Sequence, residues 1–217
     1  MVRMLSTVQS QVSQPPAPAQ KREMIRCLLE LSEAAPRKGI EMSVMLRRHC
    51  ERFTHPAPYE MHYSGAHHAA YLENMDKTLL RLQGTDPDLA AHITVTRAAG
   101  IALTGPAPQE MFAPVPAEDY WDSIVSDVEN AAEDVLRDGV YCLLNLCRVA
   151  AYRRGGCVIS KAEGGEWGLK HLPERFHEML RRALTCYRTA APFNYDPDML
   201  QEFAGYLLQD ILQGGRL

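Results

Sequence analysis

Two hydrophobic periods divide the chain into an N-terminal part with strands and a long helical part. Apolar residues alternate from Ile40 to Leu46, which predicts a strand with Glu41 on the face opposite its apolar residues. Tyr59–Ser64 is a weaker strand candidate. Apolar residues recur every three or four positions over Lys21–Ala35, which predicts an amphipathic helix.

Helical spacing dominates after Thr85, where proline and glycine separate the periodic segments. These segments predict helices over residues 87–100, 118–136, 140–154, 162–171, 174–188 and 196–214. The predicted fold class is α+β and mostly α, with a small sheet region followed by a C-terminal helical bundle.

Residues 1–20 are poor in large apolar side chains and rich in Gln, Ser and Pro. Such a composition buries too little apolar surface to form a packed core. We therefore expect a disordered or extended leader over residues 1–20.

Composition narrows the class of protein. The apolar content of 46% is typical of a globular chain, and the net charge of −4 argues against general nucleic-acid binding. No run of about eighteen apolar residues and no signal-peptide block occurs, so we expect no membrane span and a cytoplasmic location. Six cysteines without a C-x-x-C pair indicate reduced packing residues.

A capped helix near the middle of the second half offers a site for an anion. Ser160 and Glu163 form a capping box, which places Lys161 at a helix N-terminus where free N–H groups and an ammonium converge. Arg148 lies beside the apolar stripe of the preceding helix. A solvated first-turn lysine is the simpler interpretation of Lys161.

An acidic segment precedes that helix, with a single basic residue among its carboxylates. Asp127, Asp134 and Asp138 would share one face if a helix continued through them. Such a stripe suits a polycationic ligand, although a solvated acidic face is the commoner explanation.

Glu41 and the histidines are the candidates in the N-terminal part. A carboxylate at the position of Glu41 either is solvated or lines a cleft as a general base. The histidines lack the spacing and the acidic or cysteine partners of a metal site, so we interpret them as polar loop residues. They are His49, His55, His62, His67 and His68.

Several blocks, taken in order, resemble the aminoglycoside adenylyltransferases that modify streptomycin and spectinomycin, within the nucleotidyltransferase superfamily. The resemblance spans about Lys21 to Leu212. It rests on the segments KREMIRCLLELS, GIEMSV, TDPDLAAHITVTRAAGIALTGP, FAPVP, LLNLCRVAAY and SKAEGGEWGLKHLPE, and on the closing helix.

The resemblance implies a nucleotidyltransferase domain with a mixed sheet, a C-terminal helical domain, and ATP and drug bound between them. It assigns residues 21–84 to a remnant of the first domain and residues 85–217 to the second. The implied roles are a catalytic base at Glu41, nucleotide contacts at Arg148, Lys161 and Tyr187, and drug-binding carboxylates at Asp134 and Asp138.

The family also implies ATP and Mg²⁺, the latter held by a D-x-D strand after a Gly-Ser pair. That block should precede Lys21, yet no acidic residue occurs before Glu23. Asp86-Pro87-Asp88 and Asp196-Pro197-Asp198 have the spacing but are interpreted as helix caps. We therefore expect an incomplete nucleotidyltransferase sheet and an inactive or impaired polypeptide, because Mg²⁺ neutralises charge in phosphoryl transfer.

Two alternatives remain beside an impaired aminoglycoside adenylyltransferase. In the first, the helical domain is a non-catalytic module that binds nucleotide, a cationic ligand or a protein partner. In the other, a partner chain supplies the aspartates.

Overall fold

A computed structural model of the chain describes residues 7–34 and 39–213, which form two compact units. One unit extends to Val115 and the other begins at Pro116. The sequence placed the boundary between residues 84 and 85. The two compact units divide later than that, because Leu89, Ile93 and Phe112 pack in one core with Met45 and Cys50.

Strand β2 is the centre of the N-terminal unit. Within the described residues it pairs in parallel with β1 on one side and antiparallel with β4 on the other, while β3 and β5 form a separate antiparallel pair. The strands are β1 (Thr7–Val12), β2 (Glu41–Leu46), β3 (Ala57–Tyr59), β4 (Met61–Tyr63) and β5 (Gly84–Asp86).

The segment expected to be a disordered or extended leader contains a strand and the start of the first helix. Residues Thr7–Val12 form strand β1, and the first helix begins at Pro18 instead of Lys21. Parallel pairing with β2 supplies the backbone hydrogen bonds that the composition of this segment does not predict. Residues 1–6 lie outside the described part of the chain.

The predicted strand is confirmed, but both of its faces are covered. Val44 packs in a core with Ile25 of the first helix, as its alternation predicts. Met45, on the face of Glu41, packs in a second core with Leu89 and Ile93. A strand buried on both faces differs from the one-sided strand that alternation usually indicates.

Helices surround these strands in the N-terminal unit. Several are short and were not predicted, since fewer than two turns give little periodicity. They are α1 (Pro18–Glu33), α2 (Arg47–Glu51), α3 (His68–Glu73), α4 (Met75–Arg81), α5 (Leu89–Ala99) and α6 (Pro108–Met111).

The C-terminal unit is helical, as predicted, with one change in its acidic segment. The single helix expected over 118–136 ends at Ser126, and a short helix follows from Ala131. The helices are α7 (Ala117–Ser126), α8 (Ala131–Asp134), α9 (Gly139–Gly155), α10 (Lys161–His171), α11 (His177–Thr189) and α12 (Pro197–Gln213). None of the helices described in either unit is long and apolar enough to cross a membrane.

Helix α9 is the buried axis of this unit, and α10 approaches it closely. A methyl group at Gly164 would lie 2.9 Å from the Arg148 nitrogen and the Leu144 oxygen, both of them backbone atoms. At Gly165 it would lie 2.7 Å from side-chain carbons of Leu144 and Leu184. Glycine therefore permits a backbone separation that any side chain would prevent.

We expect Gly164→Ala to lower the free energy of unfolding by about 1–3 kcal/mol, because the added methyl group meets backbone that cannot rotate away. Gly205→Ala is the matched control, since Gly205 lies in helix α12, where an added methyl group would have no neighbouring atom within 4 Å. It should stabilise the protein by up to about 1 kcal/mol through helix propensity. Urea denaturation measures both, and equal effects would contradict the close approach.

Candidate functional site

An acidic pocket of about 290 Å³ lies in the C-terminal unit. Helix is interrupted between α7 and α8, and carboxylates seven and four residues apart line this pocket without a continuous helix. The lining residues are Asp127, Val128, Ala131, Asp134, Arg137, Asp138, Tyr141 and Cys142. The three aspartates were predicted to share one face of a continuous helix. They do line one pocket, but the helix between them is interrupted.

Two of these carboxylates also have local partners. Asp138 is the N-cap of α9 and accepts a hydrogen bond from the backbone N–H of Tyr141 at 3.1 Å. Asp134 is paired with Arg137, three residues later, on the exposed side of the pocket. A cationic ligand would therefore meet one carboxylate held by a helix terminus and one that an arginine partly neutralises.

Asp127 is bound more tightly to the protein than its two neighbours. It accepts hydrogen bonds from the Tyr141 hydroxyl at 2.7 Å and from Asn145 Nδ2 at 2.5 Å. Its Oδ2 lies 3.6 Å from Arg148 Nη2. This carboxylate thus joins the acidic pocket to the arginine that the resemblance assigns to the nucleotide.

Lys161 begins α10, as predicted, and its capping box is present. The Ser160 hydroxyl accepts from the Glu163 backbone N–H at 3.2 Å, and Glu163 accepts from the Ser160 backbone N–H at 2.8 Å. The Lys161 ammonium lies 4.6 Å from the centre of the Tyr141 ring, within the range of a cation–π interaction. Tyr141 therefore contacts both the acidic pocket and Lys161.

Sequence reasoning did not select Tyr141 or Asn145. Their spacing in the sequence could have indicated them. Asn145 lies four residues after Tyr141 and three before Arg148, so the three residues share one face of α9. Tyr187, the remaining nucleotide candidate, lies half-buried on α11. Of the residues that the sequence selected, Asp134, Asp138 and Lys161 lie around Tyr141 in the structure.

Glu41 belongs to the N-terminal unit, where it occupies the first position of β2. Its side chain is 34% exposed, and its Oε1 lies 3.9 Å from His92 Nε2 of helix α5. Two positions along the same strand, the Ser43 hydroxyl lies 3.0 Å from His62 Nδ1. The carboxylate is thus accessible and has imidazoles nearby.

Four of the five histidines interpreted from the sequence as loop residues lie in helices or strands, whereas His55 lies in a loop, as expected. His62 lies in β4 opposite Ser43, and His68 begins α3 with its Nδ1 3.0 Å from the Tyr63 hydroxyl. Burial lowers the pKa of His62, although Glu41 and Asp86 act in the opposite direction. His62 and His68 thus stabilise the local structure through hydrogen bonds.

The described residues contain no group of three or more His, Cys, Asp or Glu side chains arranged to hold a metal ion. In both D-x-D segments the first aspartate accepts from the backbone N–H of the second, at 2.9 Å for Asp86 and 3.0 Å for Asp196. Asp196 directly precedes α12, in agreement with the predicted cap, whereas Asp86 ends strand β5 and α5 begins only at Leu89.

Comparisons with known proteins point to one family. Residues 110–210 match the family model described as the aminoglycoside adenylyltransferase C-terminal domain. An aminoglycoside (3'') (9) adenylyltransferase of Rhizobium radiobacter is 24% identical over 201 residues, which cover 89% of this chain and 73% of that protein. The corresponding protein of Klebsiella pneumoniae is 25% identical over 202 residues, covering 88% and 74%.

A solved structure shares the fold. It is the crystal structure of a spectinomycin adenyltransferase from Enterococcus faecialis with ATP and spectinomycin. The TM-score is 0.76 at 18% identity, and the match covers 94% of this chain and 82% of that one. The predicted fold class, α+β and mostly α, is confirmed.

The lowered pKa of His62 predicts a pH dependence of stability. The folded protein holds the proton of the His62 imidazole less tightly than the unfolded chain does. At pH values between the pKa of His62 in the folded state and about 6.5, the unfolded state therefore binds more protons. Stability due to His62 is therefore fully present above pH 6.5 and falls as the pH decreases below it. Urea denaturation at several pH values between 5 and 7.5 measures this slope.

His62→Asn should reduce that slope, while leaving the contribution of His67, whose pKa burial also lowers. His171→Asn removes an exposed histidine of the other unit and is the control. Equal slopes in the two variants would contradict the effect of burial on His62.

Proposed function

Because residues 110–210 belong to the aminoglycoside adenylyltransferase C-terminal domain family and the similarity continues over most of the chain, we propose the reaction of that family. In this reaction AMP passes from ATP to a hydroxyl of a streptomycin- or spectinomycin-like drug. The proposal extends to this chain the activity named for its relatives and the two ligands named for the E. faecialis protein.

The observation that carries the proposal is the acidic pocket beside two cationic residues. Asp134 and Asp138 offer negative charge to a polycationic drug, since complementary charge favours such a ligand over a neutral one. Lys161, at a helix N-terminus, and Arg148 offer positive charge to phosphate oxygens. One helical unit thus contains binding chemistry for both substrates, and Tyr187 is the further nucleotide-side residue.

Glu41 is the base in this proposal. It accepts the proton of the drug hydroxyl, whose oxygen forms a bond to the α-phosphorus of ATP while the bond to the β-phosphate oxygen breaks and pyrophosphate leaves. Arg148 and Lys161 stabilise negative charge on the phosphates during this exchange. The accessible carboxylate of Glu41 at the start of β2 is compatible with this role.

The polypeptide of these 217 residues is proposed to be inactive or impaired in this reaction. Metal ions neutralise the developing charge in phosphoryl transfer, and the described residues contain no group of three or more His, Cys, Asp or Glu side chains arranged to hold one. A partner chain that contributes aspartates would restore the missing charge neutralisation.

The alternative is a non-catalytic module that binds nucleotide, a cationic ligand or a protein partner. It is favoured by one observation, the presence of both the acidic pocket and the two cationic residues within the C-terminal unit. Such a unit needs no group from elsewhere in the chain to bind its ligand.

Transfer of labelled AMP from Mg-ATP to spectinomycin and to streptomycin tests the reaction. With the purified 217-residue chain we expect no transfer above that of Glu41→Gln, together with saturable binding of at least one drug in calorimetry. Transfer that Glu41→Gln abolishes would contradict the proposed inactivity and support the role of Glu41. Absence of binding by either drug and by ATP would contradict both the family reaction and the binding module.

Substitutions of Asp138 separate its capping role from its proposed role in drug binding. Asparagine caps helices about as well as aspartate, so Asp138→Asn should change stability little while weakening binding of the cationic drug. Asp138→Ala removes the cap as well and should cost about 1 kcal/mol of stability. Thermal unfolding and drug calorimetry on both variants measure the two effects.

If Asp138→Asn leaves the drug affinity unchanged, the carboxylate of Asp138 caps α9 and does not bind the drug. Glu129→Gln, which removes an exposed charge near the pocket, controls for the general change in net charge.

A further inference from the structure

Asp127 differs from the other pocket carboxylates in how many protein groups it contacts. It follows the last residue of α7, and its side chain is 32% exposed. Its Oδ1 accepts from the Tyr141 hydroxyl, and its Oδ2 accepts from Asn145 and lies within ion-pair distance of Arg148. All three partners are on α9, so a residue of the preceding turn is connected to one face of the central helix.

Two of the three partners of Asp127 are largely inaccessible to solvent. Asn145 is fully buried, and the Arg148 side chain is 15% exposed. Among the described residues, neither Asn145 Oδ1 nor Arg148 Nε has a hydrogen-bond partner, although both atoms are buried. A largely buried guanidinium depends on its counter-ion for its position, because few other groups neutralise its charge.

Asp127 also acts on the second cationic residue through an intermediate group. Its hydrogen bond from the Tyr141 hydroxyl limits rotation of that ring, and the Lys161 ammonium lies over the same ring. The carboxylate therefore contacts Arg148 directly and reaches Lys161 through Tyr141.

We propose that Asp127 is a positioning residue, which holds Arg148 and the Tyr141 ring in the orientation that binds a nucleotide. Asp134 and Asp138 remain the carboxylates for the drug, whereas the oxygens of Asp127 serve the protein. The role of Asp127 in nucleotide binding rests on the proposed function. The orientation of Arg148 does not depend on it.

The orientation is tested by NMR of the ¹⁵N-labelled 217-residue chain. The Nε–H resonance of Arg148, assigned by its loss in Arg148→Lys, should move in Asp127→Asn and in Asp127→Ala and should exchange faster with water. Glu129→Gln removes an exposed carboxylate close in sequence and should leave the resonance in place. An Arg148 resonance unaffected by both substitutions of Asp127 would overturn the proposal.

The consequence for nucleotide binding is tested by titrating ATP into the same variants. Loss of orientation should weaken ATP binding about fivefold to tenfold, which corresponds to the net contribution of one ordinary hydrogen bond. Removal of negative charge alone would instead strengthen binding of an anion. Affinity that is unchanged or increased in Asp127→Asn would therefore contradict a positioning role in nucleotide binding.

The proposed function and the positioning role of Asp127 can be contradicted independently of each other. Wild-type protein without measurable ATP affinity would contradict the nucleotide contacts under the proposed function. In that case the Arg148 resonance still decides whether Asp127 orients the guanidinium.

Discussion

The close approach of helices α9 and α10 is the constraint on which the C-terminal unit depends. Gly164, Gly165 and Gly168 face α9 at positions where a methyl group would meet backbone or packed side chains within 3 Å. Interiors are packed as densely as organic crystals, so such a contact does not relax by small shifts. The contact fixes the first turn of α10, which begins with Lys161, against the helix that bears Arg148 and Tyr141.

The acidic pocket depends on a second constraint, the interruption of helix between Ser126 and Ala131. Carboxylates on a continuous helix would line one exposed face and repel one another in solvent. In the structure they instead line a pocket, and each has a partner of opposite or complementary polarity. Asp127 has Arg148, Asp134 has Arg137, and Asp138 has the N-terminus of α9.

The N-terminal unit depends on strand β2, which is covered on both faces and paired on both edges within the described residues. This burial explains why Ser43 and His62 form a hydrogen bond in the interior of the unit and why the pKa of His62 is lowered. Glu41, at the first position of the strand, lies where burial gives way to partial exposure. A carboxylate there is held by a rigid element and still reaches solvent.

The sequence by itself determined most of the helices, the central strand and the capping box at Ser160, because those features depend on side chains close together along the chain. It also identified Asp134, Asp138 and Lys161 as chemically distinctive and supported the family resemblance. Only the tertiary structure decided that Thr7–Val12 is a strand, that the acidic helix breaks after Ser126, and that Asp127 joins Tyr141 to Arg148. The physical reason is that each of these depends on partners distant in the sequence: a parallel strand, a buried helix face and a counter-ion across a turn.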